Sequence, residues 1–92
     1  MTAETPEPQA DRPVKRSLTL QGHRTSVSLE GAFWTAFRRI AAERGQSVNA
    51  LAAEIDVRRA PPASLASAIR VFVLRRLEEA AAATGRDGGW SA

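Results

Sequence analysis

The stretch GHRTSVSLEGAFW, residues 22 to 34, changes its period at Glu30. From Arg24 to Leu29 the residues alternate, with Thr25, Val27 and Leu29 on one side and Arg24, Ser26 and Ser28 on the other. Period two is the signature of a strand with one dry face. Beyond Glu30 the apolar residues recur at helical spacing instead. A strand of six residues cannot satisfy its own backbone N–H and C=O groups, so residues 24–29 require a second strand. They also present an arginine and two hydroxyls on the face that the core does not use.

Two sources of that second strand are open. In VKRSLTLQGH, Val14, Leu18 and Leu20 are spaced by even numbers, and Gln21-Gly22-His23 reads as a turn. Residues 16–20 therefore either pair with 24–29 as a hairpin or run as an extended basic arm along a partner. Residues 1–13 hold three prolines and no large apolar side chain beyond the initiating methionine, and are expected to be a disordered arm.

Helix 1 is expected at about 31–44, with Phe33, Phe37 and Ile40 on its apolar face and Gly45 ending it in the left-handed conformation. Either Ser28 or Glu30 would cap its start. Ser47 caps helix 2, about 47–57, whose inner face carries Val48, Leu51, Ala52 and Ile55. RRAPPAS interrupts the chain, because two successive prolines cannot continue a helix. Helix 3 then runs over about 64–83. Leu65, Ala68, Ile69, Phe72 and Val73 form one stripe, while Val71, Leu74 and Leu77 occupy its remaining sides. A helix apolar over so much of its circumference is buried by more than one neighbour, the second expected to be another subunit. Residues 84–92 read as a flexible tail, leaving 14–83 as the folded domain.

The chain of 92 residues contains no cysteine, one histidine and 13 basic against 10 acidic residues. Twelve of the 13 are arginine, and residues 12 to 77 carry twelve basic and four acidic side chains. That segment has a net charge of +8, which points to a polyanionic partner. Without cysteine there is no thiolate metal site or cysteine nucleophile, and a reducing cytoplasm fits. His23 lacks carboxylates at ligand spacing, so no metal is expected, nor any cofactor. No phosphate-cradling glycine loop is present, and enzymatic activity is not expected. No apolar run is long enough for a membrane span, and the N-terminus lacks the features of a secretory signal.

Strand, helix, glycine turn and serine-capped helix occur in that order in HRTSVSLEGAFWTAFRRIAAERGQSVNALAAEI. This stretch resembles the ribbon-helix-helix family, the fold of the Arc and MetJ repressors, and in particular its antitoxin-like subgroup. That subgroup also places a Pro- or Gly-rich break before a helix such as SAIRVFVLRRL. The resemblance covers roughly residues 15 to 77. It implies a mostly α fold with a short β-ribbon, an intertwined homodimer in which strands 24–29 of two chains pair antiparallel, and an additional C-terminal helix. Val27, Leu29, Phe37, Leu51, Ile55, Ile69, Phe72 and Val73 would form the dimer core.

A two-stranded ribbon fits the major groove of B-DNA, about 12 Å wide. Its outward face would place Arg24 on guanine through paired hydrogen bonds, with Ser26 and Ser28 as weaker base contacts. The N–H groups of Val48 and Asn49 beside Ser47 would hold phosphate, as they do at this helix start in the family. Lys15 and Arg16 would follow the DNA backbone. The expected function is a dimeric, sequence-specific DNA-binding transcriptional regulator, a repressor, acting in the cytoplasm at the nucleoid. Dimers of this fold commonly bind adjacent half-sites, so higher oligomers on DNA are also implied. The alternative is an antitoxin-like or adaptor module that binds a toxin or other protein, with weak or no DNA binding.

Overall fold

The computed structural model describes residues 12–88, arranged as a β-hairpin followed by three helices. Strands β1 (Pro13–Leu20) and β2 (His23–Glu30) pair antiparallel, from Pro13 opposite Glu30 to Leu20 opposite His23. Gln21 (φ 51°) and Gly22 (φ 88°) form the two-residue loop, both in the left-handed region. That is the type I′ geometry, whose twist matches the strands it joins.

The second strand demanded by residues 24–29 thus comes from the same chain, and the hairpin reading holds over the extended arm. Both strands run longer than expected, and β1 begins at Pro13 rather than within a disordered segment ending there. An edge position tolerates Pro13 because its missing N–H is not needed by the ladder. The rest of the expected arm, residues 1–11, lies outside the described residues.

Helix α1 (Gly31–Glu43) follows β2 without a loop. Its N-cap is Glu30, whose side chain makes no capping bond; the Gly31 N–H instead donates to the Arg12 carbonyl (3.2 Å). The strand pairing itself therefore satisfies one orphan group of the helix start. At the other end Gly45 (φ 69°) donates to Ala42 O and Gln46 N to Ala41 O, a Schellman closure. Helix α2 (Val48–Arg58) is capped by the Ser47 hydroxyl, which accepts from Ala50 N at 3.0 Å.

Helix α3 (Leu65–Gly88) restarts after the prolines, with Ser64 accepting from Ser67 N. It continues five residues past the expected end at 83, into the segment read as a flexible tail. EEAAAA precedes that extension, and alanine has the highest helix propensity of any residue. Residues 89–92 of that segment lie outside the described residues.

The alternation of both strands sends Leu18, Leu20, Val27 and Leu29 onto the helices. There they meet Trp34, Phe37, Ile40, Leu51, Ile55, Ile69 and Val73 in one cluster. Seven of the eight residues expected in a dimer core are buried within a single chain, and Phe72 is partly buried against the same cluster. Phe72 meets Phe37 edge to face, with ring centroids 6.4 Å apart. Trp34, 2 % exposed, donates its indole N–H to the Val14 carbonyl at 2.7 Å and so fastens β1 onto α1. Arg70 of α3 makes a paired contact with the Glu30 carboxylate (2.9 and 3.2 Å), joining α3 to the end of β2.

Candidate nucleic-acid interface

The face of the hairpin turned away from the helices carries Lys15, Ser17 and Thr19 on β1 and Arg24, Ser26 and Ser28 on β2. All six are exposed, and they lie in three cross-strand pairs: Lys15 with Ser28, Ser17 with Ser26, and Thr19 with Arg24. β1 lies beside β2 rather than over it, so the outward face of residues 24–29 stays open. The six hold two cations and four hydroxyls; Glu30, of the same parity at the end of β2, is ion-paired with Arg70.

Strand spacing near 4.8 Å makes this pair a ribbon that the major groove can accept. Arg24 offers two parallel N–H donors, which suit the O6 and N7 acceptors of guanine. The hydroxyls both donate and accept, so they fit several base edges. Ser17 and Thr19 were not among the residues singled out from the sequence. The even spacing of Val14, Leu18 and Leu20 did put them on the outward side, conditional on the hairpin.

Helix α2 brings its start to this ribbon. The Asn49 side-chain carbonyl accepts from Thr19 N at 3.2 Å, and Thr19 is the cross-strand partner of Arg24. The two-residue loop makes Leu20 and His23 a hydrogen-bonded pair, which turns the Thr19 N–H outward from the ladder. Asn49 takes up that edge donor. The backbone N–H groups of Val48 and Asn49 belong to the first turn of α2, which has no intrahelical acceptors. Ser47 and Asn49 are exposed and Val48 half-buried. The expected base reader and the expected phosphate-binding helix start are therefore neighbours.

Arg16 stands apart from this group. It shares the parity of Val14, Leu18 and Leu20, and its guanidinium lies over the Trp34 ring, 5.6 Å from the centroid. It flanks the ribbon from the helix side, while Lys15 remains on the outward face. Arg38 and Arg39 are exposed on α1. In the break, Arg59 binds Asp56 (2.9 Å) and the Ala63 carbonyl (3.0 Å), so its donors serve the linker, while Arg58 is exposed. His23 is exposed at the start of β2.

Two carboxylates have lowered pKa values. Arg70, through its hydrogen bond, holds Glu30 below its ordinary 4.5, helped by a backbone hydrogen bond. Glu54 is lowered chiefly by the hydrogen bond from Gln46, with Arg44 and Arg58 adding positive charge. Both are ionised at neutral pH and tied to cations, so neither adds free negative charge beside the ribbon. No helix among the described residues is long and apolar enough to cross a membrane.

A two-stranded ribbon leading directly into a pair of helices, with a serine-capped helix start at the ribbon edge, defines a class of DNA-binding folds. Residues 13–85 match the family model for the ribbon-helix-helix domain, and the chain belongs to that family. The family places it among DNA-binding regulators and antitoxins. The fold is similar to that of a solved, uncharacterized protein from Bordetella pertussis Tohama I. The TM-score is 0.66 and the identity 30 %, over 92 % of this chain and 70 % of that one. Among curated proteins, none matches the chain.

Proposed function

We propose that the protein is a sequence-specific, DNA-binding transcriptional regulator, a cytoplasmic repressor that acts as a dimer and reads the major groove with its own β1–β2 hairpin. One observation carries the reading. The exposed ribbon face with Lys15 and Arg24 is joined at Thr19 to the start of α2, through Asn49. Base-reading and phosphate-holding groups then act as one surface. Arg24 reads guanine, Ser17, Thr19, Ser26 and Ser28 adjust to neighbouring bases, and Lys15 contacts the DNA backbone. Val48 and Asn49 N–H groups take a flanking phosphate at the positive end of the α2 dipole.

Each protomer brings a complete ribbon, because β2 already has its partner strand. A dimer therefore presents two ribbons to two half-sites. This differs from the single ribbon shared between two chains that the family resemblance implied.

The test is selection of bound duplexes from a random pool at two salt concentrations. The expected result is one enriched motif containing a guanine-bearing half-site, with retention falling steeply at the higher salt as phosphate-bound counterions are displaced. A pool that stays unselected at both salts would remove the reading in favour of a protein-binding antitoxin or adaptor.

A further inference from the structure

We infer that the outward ribbon face is also the docking surface for an acidic segment of the same chain, Glu4 to Asp11, which competes there with duplex DNA. The contact stands on charge and reach; only its consequence rests on the DNA-reading proposal above. Lys15 and Arg24 are exposed, and neither forms an ion pair among the described residues. Outside α3 the chain has seven acidic side chains. Glu30, Glu43, Glu54 and Asp56 each pair with an arginine. The other three are Glu4, Glu7 and Asp11, and residues 1–11 contain no basic side chain.

Reach sets which acid meets which cation. The Arg12 carbonyl accepts from Gly31 N, which ties this point to the end of the hairpin opposite its loop, and the chain bends at Arg12. Pro6 and Pro8 favour an extended backbone, which advances about 3.1 Å per residue. Glu4 lies eight residues before Arg12, a reach of about 25 Å. Thr19 lies seven residues after Arg12, about 23 Å along β1, and Arg24 is its cross-strand partner. A segment turned back along the outward face therefore brings Glu4 level with Arg24. Glu7 falls level with Ser17 and Ser26, two residues along from Lys15. Arginine grips a carboxylate with the same paired N–H donors that it offers guanine, so Glu4 and a base cannot hold Arg24 together.

The tether supplies the acids at an effective concentration of order millimolar, so weak pairing suffices. A face open about one-fifth of the time binds its ligand about fivefold more weakly. The segment must leave before any duplex enters, so selected and random sequences are weakened alike.

Two measurements on the full chain test the contact. Glu4→Gln combined with Glu7→Gln should raise affinity about fivefold at low salt, on selected and random duplex alike. Glu78→Gln combined with Glu79→Gln removes the same charge from the exposed part of α3 and should change affinity less than about twofold. Unchanged affinity in the first variant, or an equal gain in the second, would overturn the inference. The second measurement needs no DNA. Because the chain has no cysteine, Thr5→Cys carries a single spin label. It should broaden the amide signals of Arg24 and Ser26 but not that of Glu78, and about 1 M salt should sharpen them again. Mixing spin-labelled chain with isotope-labelled chain that lacks the label should leave the signals sharp. Signals that stay sharp in the singly labelled chain, or that broaden only in the mixture, would overturn docking within one chain. A chain that selects a duplex motif without this broadening would overturn the inference and leave the DNA-reading proposal standing. A docked segment on a chain that selects none would do the reverse.

Discussion

At the scale of single residues, the loop and the hairpin ends carry the most testable physics. Gln21 occupies the left-handed region, where an L side chain costs about 1 kcal/mol or more. Gln21→Asn supplies a residue suited to that conformation in a type I′ turn, and we expect a gain of about 0.5 kcal/mol, read as a higher melting temperature. The Glu30–Arg70 pair makes an acid-sensitive contact. Arg70 lowers the folded-state pKa of Glu30, so its contribution is fully present above the ordinary value of 4.5 and is lost as pH falls through the lowered value. Glu30→Gln should therefore be less stable than wild type at neutral pH, with the difference closing at strongly acidic pH. A difference that widens on acidification would contradict this direction. Asn49→Ala frees Thr19 N at an exposed site and should cost about 1 kcal/mol in chemical denaturation.

Among the elements, the hairpin depends on what fastens it to α1. Trp34→Phe keeps most of the ring but removes the indole N–H that reaches Val14 O. The expected cost is about 1–2 kcal/mol, together with faster amide exchange in β1 than in α1. Helix positions were legible in the sequence because their signals are local: Gly45, Ser47 and the proline break each act within a turn of their own position. The source of the second strand was not legible. Even spacing in residues 14–20 describes an extended segment, and pairing is a long-range contact that either a hairpin or a second chain can supply. Gln21-Gly22-His23 reads as a turn, but Gln is a poor residue for the first position of a type I′ turn, so the local signal for a hairpin is weak. Parity did place Arg24, Ser26 and Ser28 outward. Applied to β1 it would also have named Ser17 and Thr19 and turned Arg16 toward Trp34.

At the scale of the whole molecule, a small core and a strongly basic surface share one short chain. Phe37 is fully buried, and Phe37→Ala should cost about 3–5 kcal/mol, enough to unfold much of a domain this small. The long-range part of the account rests on side-chain contacts that composition cannot reveal. Asn49 read as a helix-start residue in the sequence, yet its bond to Thr19 is what brings α2 to the ribbon. The exposed Val71, Leu74 and Leu77 of α3 were legible as excess apolar surface, whereas the groove between α2 and α3 that Val71 adjoins required the packed helices to be visible. The most direct measurement compares Arg24→Ala and Lys15→Ala for affinity to the selected duplex and to random duplex at one salt concentration. The account predicts that Arg24→Ala loses tenfold or more on the selected duplex and far less on random DNA, while Lys15→Ala weakens both alike. Equal loss on both duplexes for Arg24→Ala would contradict base reading by the ribbon.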